Sequence, residues 1–280
     1  MNSEKRPLEF YVLAAFFVLF VLFLYGPFSA IFILSFQGPD GGLTFPLNGV
    51  SLHWFANLFQ RQAVGDFGAS FERSFILGLM VMVVTVVVSL LAGLGFRRQF
   101  RGASIIFYGT VASLVVPSII ISLGIGVVFQ QIGLAPAWYS SAFGAHLTWT
   151  LPFGVLIMFA VFNRFSPSYE EAARDLGASS WQTFRYVVLP MIAPSLIGVA
   201  LFGFSLSYDE FARTLMTSGS FNTLPLEIYG MTTNVTTPVL YALGTVTTLF
   251  SFTIILTFVG IGMFVRLRRA ALGSDAGKGI

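Results

Sequence analysis

Six apolar runs constrain this chain more than anything else in it. Residues 10–36, 71–96, 104–130, 141–162, 191–214 and 243–265 each exceed or approach the roughly twenty residues that cross a hydrocarbon core. Inside lipid every backbone N–H and C=O must find a partner within the protein, so runs of this kind are expected as helices. The chain is therefore expected to be an all-α, polytopic integral membrane protein with six transmembrane helices. Composition points the same way. Of the 280 residues, 56% are hydrophobic and only 10% charged, with 32 phenylalanines and a mean hydropathy of +0.83, whereas soluble domains are roughly a quarter charged. The first run is too long for a cleavable signal peptide, and no small-residue cleavage site follows it. The absence of cysteine removes disulfides and thiolate chemistry.

The basic residues orient the spans. With both termini in the cytoplasm, Lys5, Arg6, Arg97, Arg98, Arg101, Arg164, Arg174, Arg185, Arg266, Arg268, Arg269 and Lys278 lie inside, and only Arg61, Arg73 and Arg213 lie outside. That bias is the positive-inside pattern. The pI near 9.3 then reflects topology and gives no support to nucleic-acid binding. The clusters at Arg97–Arg101 and Arg266–Arg269 are expected to be topogenic and to meet lipid headgroups. Residues 1–9 form a cytoplasmic N-terminus, 10–265 the membrane domain, and 266–280 a flexible cytoplasmic tail.

One cytoplasmic stretch, 163–190, is too structured to be a mere connection. Ser168 is a good N-cap with Glu171 three residues on, a capping box; alternatively Ser166 caps with Pro167 at the first helical position. Gly177 supplies a left-handed stop. Ser179 and Gln182 form a second capping box, so the insert reads as helix, glycine bend, helix, running toward Pro190. Tyr169, Ala172, Ala173 and Leu176 share one face of the first helix, and Glu170, Glu171, Arg174 and Asp175 take the other. Trp181 and Phe184 extend the apolar surface past the bend. A helix lying on the inner leaflet would favour a wholly basic polar side. The mixed charges here suit docking onto another protein.

Glu171-Ala172-Ala173, then Gly177, Val187 and Leu189-Pro190 resemble the E-A-A-x3-G-x9-I-x-L-P loop of ABC importer permeases, with valine for isoleucine at 187. Most of the chain from about Ser51 resembles the permeases of spermidine/putrescine importers. Ser51–Trp54, Ala145–Thr148 with Leu151–Phe153, Glu171–Pro194, Ser205–Glu210, Leu224–Tyr229 and Ala242-Leu243 carry the likeness. The resemblance implies a type I ABC importer transmembrane domain in the bacterial inner (plasma) membrane. It implies that Glu171, Ala172, Ala173, Arg174, Leu176, Gly177, Trp181, Phe184, Leu189 and Pro190 couple to a separate ATPase subunit. The implied partners are ATPase subunits, a second permease, a periplasmic solute-binding protein and membrane lipids. The chain has no P-loop of its own, since Leu272 stands where the first glycine before Gly277-Lys278 belongs. ATP and Mg are therefore expected on the partner, with no cofactor or metal on this chain and no catalytic residues.

Ionisable groups at membrane depth are functional candidates because their placement is costly. Asp209-Glu210 is the one such cluster. At about 1.5 Å per residue, Asp209 lies roughly 27 Å from Met191, near the outer interface. The pair can bind a cationic substrate, with Tyr208 as a cation–π surface. Equally, Asp209 and Arg213 at i, i+4 can form a structural ion pair. Ser118 is a further pathway candidate, because polyamine permeases commonly carry an acid just after the proline that is Pro117 here. That departure leaves room for an opine-like, amino-acid-like or phosphonate solute. Trp149 can line the pathway, although Trp149 and His146 are more simply interfacial anchors. His53 has no ligand-spaced partner. Gly124–Gly126 and Gly260–Gly262 are expected to mark close helix packing. An ion-coupled secondary transporter would need carboxylates at mid-span, and the spans lack them. An intramembrane enzyme would need a motif such as HExxH, which is also missing.

Overall fold

The computed structural model describes residues 7–59, 65–98, 100–234 and 237–276. Lys5, Arg6, Arg61 and Lys278, used above to orient the chain, lie outside the described residues, as do the side chains of Arg266, Arg268 and Arg269. Among the described residues the chain is all-α, with five helices long and apolar enough to cross a membrane. Two compact units divide it, residues 1–66 with 228–250 and residues 67–227 with 251–280.

In the first unit, α1 (Leu8–Leu34) exposes nearly all its apolar surface, with Leu34 its only buried residue. A structured loop follows it. Buried Gln37 accepts from the Asn48 N–H at 2.7 Å and donates to the Gly42 carbonyl at 3.1 Å. The short helix α2 (His53–Leu58) is held by the Trp54 indole N–H on the Gly38 carbonyl. His53 sits 2.8 Å from the Asn57 amide.

The second unit is built around α3 (Phe67–Phe96), which packs against α6 (Phe143–Asn163) and α9 (Leu189–Tyr208). Its buried stripe runs Ser70, Ser74, Gly78 and then Val81, Thr85, Ser89, Gly93. Small residues four apart let helix backbones approach closely in a lipid environment. At Gly93 a Cβ would come within 2.7 Å of the Phe162 ring and 2.9 Å of the Met158 Cβ; at Gly154 it would come within 2.2 Å of the Ser89 hydroxyl. Thr85 donates to Thr150 across the same interface at 2.8 Å. Gly93→Ala is accordingly expected to force α3 off α6 and cost about 1–3 kcal/mol. A lowered melting temperature of the detergent-solubilised protein is the check, and Gly95→Ala, where a Cβ meets nothing within 4 Å, should leave it unchanged.

The expected packing glycines are therefore only partly right. A Cβ on Gly126 would meet the Met216 carbonyl at 2.7 Å, but Gly124, Gly260 and Gly262 have open space.

The third expected span, 104–130, is not one helix. It is split into α4 (Ala103–Ala112) and α5 (Ser118–Gln131). Pro117 has no N–H to continue the ladder, and its ring disfavours helical geometry in the residue before it. Pro27, Pro152 and Pro194 lie inside α1, α6 and α9 without breaking them. The last helix, α11 (Val239–Ala276), runs past the expected end at 265, so the tail is helical to Ala276. Arg, Leu and Ala at 266–272 are good helix formers with no breaker before Gly273.

Candidate functional site

The expected docking insert forms with small shifts. Pro167 is already helical (φ −58°, ψ −26°), so α7 (Ser168–Asp175) begins one residue early and Ser168 falls inside it. The Ser168–Glu171 capping box is not made. The alternative start is met in part: Pro167 takes the cap position with helical angles, and the Ser166 hydroxyl accepts from the Ser168 N–H at 3.4 Å. At the other end Gly177 has φ +83°. Its N–H reaches the Arg174 carbonyl at 2.8 Å, and the Ala178 N–H reaches that of Ala173 at 3.0 Å. Those two bonds define a Schellman stop. The second capping box forms as expected, Ser179 N–H to Gln182 Oε1 at 2.7 Å and Gln182 N–H to Ser179 Oγ at 3.3 Å. It opens α8 (Ser180–Thr183), which winds through a π turn at Phe184–Val188 into α9. Pro190 has no N–H for the Tyr186 carbonyl, so the looser turn lies where the α-helical bond is missing.

The bend is a platform of exposed apolar side chains on a polar segment. Leu176 is 90% exposed, Trp181 65%, and Tyr169 and Tyr186 are also exposed. Phe184 is half-buried beside Trp181, ring centroids 5.7 Å apart. A groove of about 350 Å³ lined by Leu176, Gly177, Ala178, Gln182, Tyr186 and Val187 opens beside the bend. Glu171 is exposed and makes no ion pair among the described residues. Ala172 is exposed, Ala173 partly buried, and Leu189-Pro190 start α9. Arg97 does not face headgroups as expected. It turns onto α7, its guanidinium 2.7 Å from Glu170, because the rings of Phe162 and Phe165 offer it a flat seat.

At the opposite end of α9, three of the five expected pathway residues, Ser118, Trp149 and Glu210, surround Arg213. The helix stops at Tyr208 and residues 212–217 form turns. The i, i+4 geometry expected between Asp209 and Arg213 therefore does not exist. Glu210 is the partner instead. It accepts from the Arg213 backbone N–H at 2.9 Å and faces the guanidinium at 3.4 Å. The Arg213 side chain is 1% exposed. It donates to Ser118 Oγ at 2.7 Å and to Thr148 Oγ1 at 3.4 Å, and lies 4.6 Å above the Trp149 ring. Ser118, Trp149 and Glu210 are thus brought together. Asp209 caps α9 and is exposed. Tyr208 is buried, stacked on Phe204 and edge-on to Phe71, and the cation–π surface is Trp149.

His146 is no interfacial anchor either. It is buried, Nδ1 2.8 Å from the Ser207 hydroxyl and Nε2 2.9 Å from that of Thr214. The Thr214 hydroxyl donates its one proton to the Glu210 carbonyl at 2.6 Å. It must then accept from His146, which assigns the proton to Nε2 and leaves Nδ1 to accept from Ser207. Hydroxyls of Ser207 and Thr214 hold His146 inside, and those of Ser118 and Thr148 hold Arg213; one sequence does not show those pairings.

An all-α arrangement of long apolar helices with an exposed helix–bend–helix platform is what the geometry defines. Residues 85–272 match the family described as binding-protein-dependent transport system inner membrane component. The chain belongs to that family: it is the permease component of an ABC importer, a multi-pass inner-membrane protein and not an enzyme. Among curated proteins it is similar to the spermidine/putrescine transport system permease protein PotC of Haemophilus influenzae. They are 27% identical over 248 residues, 88% of this chain and 95% of that one. PotC of Escherichia coli K12 is 26% identical over 236 residues, 84% and 87% of the two chains. Among solved structures, a bacterial ABC transporter involved in import of the acidic polysaccharide alginate matches with a TM-score of 0.69 at 15% identity, covering 91% of this chain and 95% of that one. The alginate transporter in complex with a pentasaccharide-bound periplasmic protein gives 0.62 at the same identity, covering 91% and 92%.

Proposed function

We propose that this permease forms half of the pathway for a polyamine or related small amine. A periplasmic binding protein delivers the solute, and ATPase subunits that seat the α7–α8 bend drive the cycle. A second permease completes the pathway, and both termini lie in the cytoplasm. The observation that carries the docking half is the exposed Leu176–Trp181 platform on an otherwise polar segment. The PotC relatives and the periplasmic protein bound to the alginate transporter support the rest. ATP closes the ATPase subunits, moves the bend, and turns the helices from inward to outward facing.

A second reading of the substrate has a specific observation behind it. Ser118 replaces the acid expected after Pro117, and Glu210 is engaged by Arg213. Of the Asp209-Glu210 cluster, Asp209 remains as the exposed carboxylate. One carboxylate suits a monoamine or zwitterion better than a multiply charged polyamine. ATP-dependent uptake of labelled spermidine and putrescine by the complex in vesicles separates the two. Saturable uptake supports the polyamine. No uptake of either by a complex that hydrolyses ATP removes polyamines and leaves the second reading.

A further inference from the structure

We propose that Arg97 is a positioning residue through which motion of α7 enters α3 and reaches the far end of the bundle. The inference rests on the proposed docking of α7 against an ATPase. Along the chain, α7 is attached only through the linker 164–167 and through 176–179 to α8. Beside the packing of α7 on α8 and on the π turn, Arg97, the residue that directly follows α3, ties α7 to a helix distant in sequence. Its guanidinium is 2.7 Å from Glu170, with the two side chains only 22% and 13% exposed. It also lies 5.3 and 5.4 Å above the rings of Phe162 and Phe165. Open surface pairs contribute little, but arginine in a stacked, shielded seat is held in one orientation and is not replaceable by an arbitrary cation.

What α3 receives at this end it can deliver at the other. Gly93 seats the Arg97 end of the helix against Phe162 with no room for a methyl. At the far end buried Ser74 Oγ accepts from the Leu224 N–H at 2.8 Å, and Arg73 Nε donates to the Asn222 carbonyl at 2.6 Å. A 30-residue helix spans about 45 Å. Thus α3 is a continuous rod tied at one end to α7 and at the other to the segment that opens α10 (Leu224–Asn234). Packed rigid elements of this kind carry coupling between distant sites. Removing Arg97 need not unfold α7, because Glu170 keeps Arg174 at 3.6 Å.

The test uses the full complex in lipid nanodiscs, with Ser220→Cys as a reporter beside the Asn222 tie and cysteine-free partner subunits. Ser220 is exposed and the chain has no other cysteine. In the parent, ATP with vanadate is expected to change the rate of maleimide labelling at least about fivefold. Arg97→Gln or Glu170→Gln should cut that change to below about twofold, while the ATPase subunits still copurify and hydrolyse ATP. The double variant should be no worse than either single one, as for two ends of one interaction. Arg97→Lys, which keeps the charge but not the stacked fork, should recover only part of the change. A full ATP-dependent change in Arg97→Gln, additive losses in the double variant, or no change at Ser220 in a parent complex that hydrolyses ATP would each overturn the proposal. Loss of copurification only in the variants would also overturn it, by making Arg97 a docking residue. If the ATPase subunits fail to copurify with the parent, the docking of α7 falls first.

Discussion

Gly177→Pro is expected to leave the permease in the membrane at near-normal yield and to reduce import roughly a hundredfold. Proline locks φ near −65°, and the position needs +83°. It also removes the N–H that reaches the Arg174 carbonyl at 2.8 Å. Losing one bond and the left-handed turn costs about 3 kcal/mol, which is roughly a hundredfold in the population of the native bend. The cost falls on an exposed segment, so the buried interfaces of α3, α6 and α9 stay intact. What is lost is the relation between α7 and α8, hence between Leu176 and Trp181. Glu171→Lys should act in the same direction through charge alone, because Glu171 is exposed and has no ion pair among the described residues. Uptake and ATP hydrolysis measured together in proteoliposomes are the check. Normal import by Gly177→Pro would remove the bend from the coupling step.

Arg213→Ala is expected to fail differently, by loss of folded protein. Truncation leaves Glu210 without its counter-ion, Ser118 without its partner and the Trp149 face uncovered. Removing one member of a buried pair costs about 3–5 kcal/mol, much of the stability of a typical domain. Arg213→Lys should recover only part of it, since an ammonium cannot reach Ser118, Thr148 and Glu210 as a fork does. Asp209→Asn provides the contrast. Because Asp209 is exposed and Glu210 is the Arg213 partner, this change should leave thermal stability within about 0.5 kcal/mol. It should weaken uptake of a cation more than that of a neutral solute. The size-exclusion profile after heating separates the two variants: Arg213→Ala should aggregate first and Asp209→Asn should follow the parent. A destabilised Asp209→Asn would place that carboxylate in the structural network.

Legibility tracked how local each interaction is. The helix–bend–helix insert was readable because Gly177, Ser179 and Gln182 act within a few residues of themselves. The break at Pro117 was also legible in principle, but the apolar run continues through it and hydropathy alone merges α4 with α5. The Arg213 site shows the limit. Glu210 and Asp209 stand three and four residues before it, and only the end of α9 at Tyr208 decides between them. Its other partners, Ser118, Thr148 and Trp149, come from elements far apart in sequence. Arg97 was missed for the same reason, since Glu170 lies 73 residues away. The small-residue stripe on α3 was a signal available at the outset: Ser70, Ser74 and Gly78, and again Thr85, Ser89 and Gly93, recur every four residues along one face.

Docking of the bend onto an ATPase subunit is tested by single-cysteine cross-linking. Leu176, 90% exposed, is changed to cysteine in a chain that has none, and the complex is treated with a short bifunctional reagent in the membrane. A cross-link to the ATPase subunit is expected from Leu176→Cys, with a yield that changes when ATP and vanadate are added, and none from Phe202→Cys, an exposed position on α9 well away from the bend. Equal cross-linking from both positions, or none from Leu176→Cys in a complex that hydrolyses ATP, would contradict it.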